Sequence, residues 1–284
     1  MSALVAGTLV STDTWETALT KAGQDADGDA DKAELKADAW RELVASRKIG
    51  YFALLRNLRN ITEQAPDVVP AACAMLVDDA LIKKSLVMPF QFNTALAAVA
   101  DRRVVQAISK AMDVSVGNVA RMPGKTLVVV DHSGSMNGRP IEIASLFAAV
   151  LYKTQDADMM LFSDDAAYVT PNPQDSTTTV AAQIRAAMWS GGTNFNSIFH
   201  RANKRYERIV VLSDMQGWLA ASTYHGGGAP VAAEKEYRRK YAATPHIFSF
   251  DLAGHGTLQF PQERVYAITG FSDKVLHLMP MLEQ

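Results

Sequence analysis

The feature that most constrains the fold is the stretch KTLVVVDHSGSM at residues 125–136. Residues 127–130 within it are consecutive apolar side chains, which need cover on both faces, as in a central parallel strand of an α/β sheet. Asp131, Ser133 and Ser135 follow at alternate positions, and Gly134 allows the loop between them to turn tightly. A carboxylate and hydroxyls are oxygen ligands of the kind that Mg²⁺ prefers. The stretch therefore predicts a buried strand that ends in a divalent-metal loop.

Two later segments extend the predicted metal site. Residues 190–194, SGGTN, place Thr193 in a glycine-rich loop, where a hydroxyl can approach a cation without crowding. Residues 208–214, RIVVLSD, form a second apolar strand that ends on Asp214. Because the carboxyl ends of parallel strands meet at one edge of an open sheet, Asp131 and Asp214 are expected to converge there. The predicted ligands of Mg²⁺, or of another divalent cation, are Asp131, Ser133, Ser135, Thr193 and Asp214.

The spacing of apolar residues divides the chain into two kinds of structure. The first part is helical, with helices predicted over residues 31–46, 49–61, 71–81, 92–99 and 103–112. In the second part strands and helices alternate: strands at 127–130, 159–162, 209–212, 246–250 and 265–268, an edge strand at 167–169, and helices at 141–153, 179–188, 197–206, 232–241 and from 274. We expect a domain of paired helices at 1–122 and a doubly wound α/β domain at 123–284.

Composition indicates a folded protein, with 48% hydrophobic and 20% charged residues. The single cysteine, Cys73, excludes an intramolecular disulfide framework and favours a reducing compartment. The opening residues lack the basic segment and apolar core of a signal peptide, and no stretch reaches the roughly 18 apolar residues of a membrane span. These observations predict a cytoplasmic protein.

Several motifs carry a resemblance to known families. The D-x-S-x-S loop, Thr193 and Asp214 are similar to the metal-ion-dependent adhesion site (MIDAS) of von Willebrand A domains. Residues 40–62, with the core FALLRNLRNIT, and residues 14–23, TWETALTKAG, resemble the helical TROVE module of the Ro ribonucleoprotein autoantigen family. The junction between the two parts of that family and its end are also similar, at residues 88–96 and 270–278. The resemblance implies HEAT-like helical repeats followed by a doubly wound, Rossmann-like von Willebrand A domain.

The resemblance also implies a partner. In the Ro family the helical repeats form a ring that admits the single-stranded end of a misfolded RNA, and the outer face of the ring binds Y RNAs. This implies a non-catalytic protein that binds a Y-like or misfolded small noncoding RNA. Only about 120 residues precede the metal domain, so the chain resembles a short form without the front part of the TROVE module. Either further copies of the chain complete the ring, or the RNA is held on an open arc.

Clustered cations are the candidates for RNA contact. Arg56 and Arg59 are three residues apart on one predicted helix face, with Asn60 beside them, and guanidinium groups suit phosphate oxygens. Two further pairs are Lys83 with Lys84 and Arg102 with Arg103. The alternative is that these clusters are solvated or salt-bridged surfaces. Because the net charge is −2, an RNA-binding surface must be a local basic patch.

Two other functions are consistent with the predicted metal site. A metal with an open coordination position can accept a carboxylate from another protein, which makes a metal-dependent protein–protein interaction module the main alternative. A metal-assisted nuclease is a weaker one, because the sequence offers no general base near the metal. The sequence also pairs no nucleophile with a base and contains no P-loop. We therefore expect no enzymatic activity.

Overall fold

The structure is a computed structural model that describes residues 14–187, 191–216, 230–255, 263–272 and 274–284. Contacts within the chain divide it into two compact units, Met1–Ser115 and Val116–Gln284. The first is helical and the second contains the sheet. The predicted architecture, a helical part followed by an α/β part, is confirmed. The boundary after residue 122 and the HEAT-like character of the helices stay predictions.

The first unit consists of helices joined by short connections. The helix α3 shows why these segments fold as they do: Leu54, Leu55 and Leu58 recur at helical spacing, and each is at most 2% exposed. The indole of Trp40 stacks on Trp15 with ring centroids 6.4 Å apart, which joins the first two helices. The helices are α1 (Trp15–Gln24), α2 (Asp29–Ala45), α3 (Tyr51–Gln64), α4 (Val69–Leu76), α5 (Asp79–Ser85), α6 (Pro89–Ala98) and α7 (Arg102–Ser115).

The helix predicted over residues 71–81 is wrong in one respect, because the structure breaks it into α4 and α5. Asp78 lies between the two helices in an extended conformation. Its Oδ1 accepts hydrogen bonds from the backbone amides of Ala80 at 3.0 Å and Leu81 at 3.2 Å. A side chain that satisfies the free amides of a first turn starts a new helix at that point. Sequence spacing alone did not indicate this break.

The second unit is a six-stranded sheet in the order β3-β2-β1-β4-β5-β6, within the described residues. β3 is antiparallel to β2, and the other neighbours are parallel. β1 lies centrally and every residue in it is buried, as its unbroken apolar run predicted. The strands are β1 (Thr126–Asp131), β2 (Asp158–Phe162), β3 (Ala166–Val169), β4 (Arg208–Ser213), β5 (His246–Asp251) and β6 (Val265–Thr269).

Helices cover both faces of the sheet, which makes it doubly wound as predicted. On one face, Leu127 of β1 lies in a core cluster with Phe195 and Tyr237 from two of the helices. On the other face, Phe147 packs edge to face against Phe250 of β5, with ring centroids 5.1 Å apart. The helices of this unit are α8 (Arg139–Gln155), α9 (Thr177–Ala186), α10 (Phe195–Arg201), α11 (Pro230–Tyr241) and α12 (Val275–Leu282).

The helix predicted over residues 197–206 ends earlier than expected, at Arg201. Side-chain hydroxyls hold the backbone beyond that point in another conformation. The amide of Asn203 donates to the hydroxyl of Tyr168 at 3.2 Å, and the amide of Tyr206 donates to the hydroxyl of Tyr237 at 2.9 Å. These amides therefore have partners outside the helix, and the helix stops.

No described helix is both long enough and apolar enough to cross a membrane.

Candidate metal centre

The predicted metal ligands lie at the carboxyl edge of the sheet. Asp131 is the last residue of β1, and Asp214 directly follows β4. Val130 pairs with Leu212 across the two parallel strands, so the acidic ends of β1 and β4 are neighbours. Both carboxylates are buried, at 0% and 1% exposure. The convergence that the sequence predicted for these two acids is therefore present in the structure.

The carboxylate of Asp131 is held by hydrogen bonds at both oxygens. Oδ1 accepts from the backbone amide of Ser133 at 2.8 Å, and Oδ2 accepts from the hydroxyl of Ser213 at 2.5 Å. The hydroxyls of Ser133 and Ser135 lie 3.2 Å apart. Ser133 is buried whereas Ser135 is exposed. The loop thus presents two adjacent hydroxyl oxygens beside a fixed carboxylate, with Ser135 on the solvent side.

Thr193 is brought to the same edge by a short loop. The carbonyl of Ser163, at the end of β2, accepts from the amide of Asn194 at 2.8 Å. The amide of Gly134 in the metal loop donates to the carbonyl of Gly191 at 3.4 Å. These contacts connect the loop that carries Thr193 both to β2 and to the loop after β1.

The carboxylate of Asp164 fixes the shape of this threonine loop. Its Oδ1 accepts a short hydrogen bond from the amide of Gly192, and its backbone carbonyl accepts from the side-chain amide of Asn194 at 3.1 Å. A Cβ atom at Gly191 would collide with the same carboxylate. The carboxylate of Asp164 thus positions the segment that holds a predicted metal ligand.

The residues present fit a hard divalent cation. Thr193 is fully buried, and its hydroxyl oxygen has no hydrogen-bond partner among the described residues. Burial, and to a smaller extent the nearby charge of Asp214, raises the pKa of Asp131 to about 6. A cation between these groups would satisfy the hydroxyl and favour the charged carboxylates. The described residues contain no cluster of three or more His, Cys, Asp or Glu side chains suited to a metal. Three of the predicted ligands are hydroxyls, which are oxygen ligands of the kind that Mg²⁺ prefers.

The predicted RNA contacts lie on the helices of the first unit. Arg56 and Arg59 are exposed on α3, and neither forms an ion pair with a described carboxylate. Asn60 is half-buried, and its side-chain amide donates to Asn57 at 3.1 Å. The two arginines line one cleft together with α6 residues. The predicted pair on α3 is thus side by side in space.

The other predicted cations lie elsewhere on the unit. Lys83 and Lys84 are exposed in the last turn of α5, and Lys84 lines a different cleft from the arginines of α3. Arg102 is exposed at the start of α7. Arg103 forms an ion pair with Asp101 at 2.8 Å, as in the alternative expectation of a salt-bridged surface. That bond lowers the pKa of Asp101 to about 2.

Residues 102–244 match the sequence model of a family described as VWA domain containing CoxE-like protein. This match spans half of the chain. The chain belongs to the family of CoxE-like proteins with a VWA domain. The VWA domain that the metal motif implied is therefore established.

The CoxE-like chain also shares its fold with a Ro protein. The crystal structure of the Deinococcus radiodurans Ro (RSR) protein aligns with a TM-score of 0.72 at 20% identity, over 99% of this chain and 66% of that one. The chain thus spans just under two-thirds of the length of that protein. At this identity the likeness shows the fold, and at that level the resemblance to the Ro family is confirmed.

Two further solved structures are more distant. An aerotolerance-related membrane protein from Bacteroides fragilis aligns over 57% of this chain and 98% of its own, at 16% identity and a TM-score of 0.38. Proximal thread matrix protein 1 from the mussel byssus aligns over 67% and 56%, at 15% identity and a TM-score of 0.39.

Sequence reasoning missed two polar residues of this VWA domain. Ser213, whose hydroxyl donates to Asp131, immediately precedes a predicted ligand on β4. Ser163 follows β2, and its hydroxyl is buried without a hydrogen-bond partner among the described residues. Both lie at the end of a strand that the sequence predicted. Their position at the carboxyl ends of neighbouring strands was the signal that could have identified them.

Proposed function

We propose that this protein is a non-catalytic RNA-binding protein of the Ro type, whose partner is a Y-like or misfolded small noncoding RNA. The observation that carries this proposal is the structural likeness to a Ro protein across 99% of the chain. The two exposed guanidinium groups on α3 support it, because no described carboxylate neutralises them. Unpaired arginines at such positions suit phosphate oxygens.

The proposal assigns RNA contact to the helical part and a metal site to the VWA domain. Residues 1–122 form the TROVE-like domain in this proposal, and residues 123–284 form the VWA domain. The RNA contacts are Arg56, Arg59, Asn60, Lys83, Lys84, Arg102 and Arg103. Further copies of the chain are proposed as partners that complete a ring. The single cysteine supports a reducing compartment, so we place the protein in the cytoplasm.

The proposed metal ligands are Asp131, Ser133, Ser135, Thr193 and Asp214. Mg²⁺ at this place would supply positive charge that attracts an acidic group at an open coordination position. The chain's own contribution is to hold that place. Ser213 and the amide of Ser133 orient the Asp131 carboxylate, and Asp164 holds the loop of Thr193. Fixed oxygens of this kind bind a cation better than mobile ones do.

The test is an electrophoretic mobility shift with a Y-like hairpin RNA and a misfolded RNA at low salt, where phosphate contacts are strongest. We expect the protein to shift both RNAs, and the double variant Arg56→Ala with Arg59→Ala to bind more weakly. The matched control is Lys32→Ala with Lys110→Ala, which removes the same charge from exposed positions on α2 and α7. Absence of any shift by the unaltered protein would contradict the proposal.

A second candidate function follows from the buried, unbonded hydroxyl of Thr193 and the raised pKa of Asp131, which favour a metal. In that case the protein is a metal-dependent interaction module that captures an acidic residue of a partner protein. Pull-downs that require Mg²⁺ and fail with Asp131→Ala, from a protein that binds no RNA, would favour this candidate. End-labelled RNA that stays intact with Mg²⁺ or Mn²⁺ would exclude a nuclease.

A further inference from the structure

An apolar cleft opens on the surface of the helical unit between α3 and α6. It has a volume of about 230 Å³. Leu55, Leu58 and Ala95 are its buried residues, each less than 9% exposed. This volume is below the roughly 300–1,000 Å³ of sites that enclose a whole drug-sized ligand. The cleft is therefore suited to one flat ring system rather than to a large cofactor.

Phe52 at the rim of the cleft is unusual because it is a large apolar side chain at 42% exposure. Phe52, Arg56 and Arg59 succeed one another at intervals of four and three residues, so they form one stripe along α3. The guanidinium carbon of Arg56 lies over the phenyl ring, 5.6 Å from its centroid. An aromatic face and a planar cation are thus presented together to solvent, and both are surfaces on which nucleobases stack.

The positive charge of the cleft favours a ligand that carries an anionic group. Its lining residues include the two arginines and no carboxylate. Gln91 and Thr94 add polar groups from α6. The carbonyl oxygen of Gln91 already accepts from the amide of Met88 at 3.1 Å, which leaves its NH₂ group as a donor. A ligand with a flat apolar ring, acceptor atoms at the ring edge and a nearby anion complements this surface.

We propose that this cleft holds one unpaired base of a single-stranded RNA segment, stacked against Phe52 and Arg56, with Arg59 contacting the adjoining phosphate. The proposal rests on the proposed RNA-binding function and adds to it a place on the helical unit, and the residues there, that hold a single base. An unpaired base exposes both of its faces for stacking, whereas a base inside a duplex is already stacked on its neighbours. Recognition at this cleft therefore requires a single-stranded segment.

The test compares the affinity of Phe52 variants for two short single-stranded RNAs by fluorescence anisotropy. One oligonucleotide carries its bases, and the other is an abasic backbone of the same length and charge. We expect Phe52→Ala to weaken binding of the base-containing RNA by about fivefold or more, the loss typical of one stacked base. Phe52→Trp should retain binding. Neither variant should change the affinity for the abasic backbone.

The matched control is Val77→Ala, which truncates another exposed apolar residue, 38% exposed, of the same helical unit. It should bind as the unaltered protein does. If Phe52→Ala binds the base-containing RNA with unchanged affinity while Arg56→Ala with Arg59→Ala weakens it, the stacking proposal is overturned and the RNA-binding function stands. If the unaltered protein binds no RNA at low salt, both fail. Binding of an oligo-glutamate peptide in place of RNA would assign the cleft to an acidic protein ligand and overturn the proposal.

Discussion

At the scale of single residues, Thr193 carries the clearest chemical signal. A buried hydroxyl without a hydrogen bond costs about 1–3 kcal/mol, since water is lost and nothing replaces it. Thr193 has 0% exposure and an unbonded oxygen, and it lies on the loop that contacts the Asp131 segment. A hydroxyl in that state destabilises the metal-free protein, and it would become favourable if a cation were bound beside it.

Thr193→Val should therefore separate stability from metal binding. The substitution keeps the shape of the side chain and removes the unbonded oxygen. Without metal, we expect the variant to unfold at the same temperature as the unaltered protein or a higher one. With Mg²⁺, the rise in Tm that a bound ligand produces should be lost. Differential scanning calorimetry with and without Mg²⁺ measures both effects.

Thr62→Val is the control for this substitution, because the Thr62 hydroxyl donates to the carbonyl of Leu58 on α3, in the other unit. It should keep the full response to Mg²⁺. A Thr193→Val protein whose Tm rises with Mg²⁺ as much as that of the unaltered protein would show that Thr193 is not a ligand.

Gly191→Ala should disrupt the threonine loop. The added Cβ would meet the Asp164 carboxylate, which cannot move away without losing its bond to Gly192. We expect a loss of about 1–3 kcal/mol in the free energy of unfolding, the usual cost of overpacking, together with weaker Mg²⁺ binding. Urea denaturation and isothermal titration calorimetry measure these changes. Gly117→Ala, where nothing lies within 4 Å of the added atom, is the control and should change neither.

At the scale of secondary-structure elements, the strands were predictable and the helix ends were not. The apolar run at residues 127–130 has a polar residue at each end, and β1 extends only one residue beyond it on either side, so composition nearly fixes the bounds of the strand. The end of α10 depends instead on hydroxyls of Tyr168 and Tyr237, which belong to other elements. The break at Asp78 arises because its side chain, rather than a preceding backbone carbonyl, accepts the hydrogen bonds of the Ala80 and Leu81 amides. Apolar spacing does not encode either contact.

In the candidate metal site too, the residues at strand ends were predictable, whereas contacts between distant parts of the chain were not. Asp131 and Asp214 were predictable because each one ends an apolar strand, and parallel strands bring such ends together. The sequence shows that Ser213 lies at a strand end, but its bond to Asp131 joins residues 82 positions apart and depends on strand register, which apolar spacing does not give. The bond between Asp164 and Gly192 depends on how the threonine loop folds back, which the sequence pattern does not show.

Asp78→Ala tests whether the helix α5 depends on the residue that caps its start. Removal of the side chain leaves the amides of Ala80 and Leu81 without their acceptor. We expect the free energy of unfolding to fall by about 1 kcal/mol, a typical value for loss of such a cap. Asp79→Ala, at the next and more exposed position, should cost less. Equal losses for the two variants in urea denaturation would show that the cap is not what starts α5.

At the scale of the whole molecule, the balance of charge decides how RNA can bind. The chain has 28 basic and 30 acidic residues, so its net charge of −2 repels a polyanion at long range. Attraction must come from short-range contacts at unpaired cations. Several of the other exposed cations are neutralised, as Arg41 is by Asp38 and Asp67 and Arg201 is by Asp165. Few phosphates can then be contacted at once.

The salt dependence of RNA binding should reflect this small number of contacts. Each phosphate contact to a single strand contributes about −0.7 to the slope of log K against log salt concentration. We expect Arg56→Ala with Arg59→Ala to reduce the slope by about 0.7, the share of the phosphate contact at Arg59, because Arg56 stacks on the base. The Lys32→Ala with Lys110→Ala control should leave the slope unchanged. An unchanged slope in the arginine variant would place the phosphate contacts elsewhere. Fluorescence anisotropy over a salt series gives the slopes.

The close approach of Gly191 to Asp164 has an evolutionary consequence. A side chain at position 191 and a carboxylate at position 164 exclude each other sterically, so position 191 is not free to change while the aspartate is kept. We expect relatives with this loop to vary at the two positions together: glycine with aspartate, or a larger residue at 191 with a shorter side chain at 164. An aligned relative that combines aspartate at 164 with a branched residue at 191 would need a differently folded threonine loop. The residue types at these two positions, 27 residues apart, therefore indicate whether a relative folds its threonine loop in the same way.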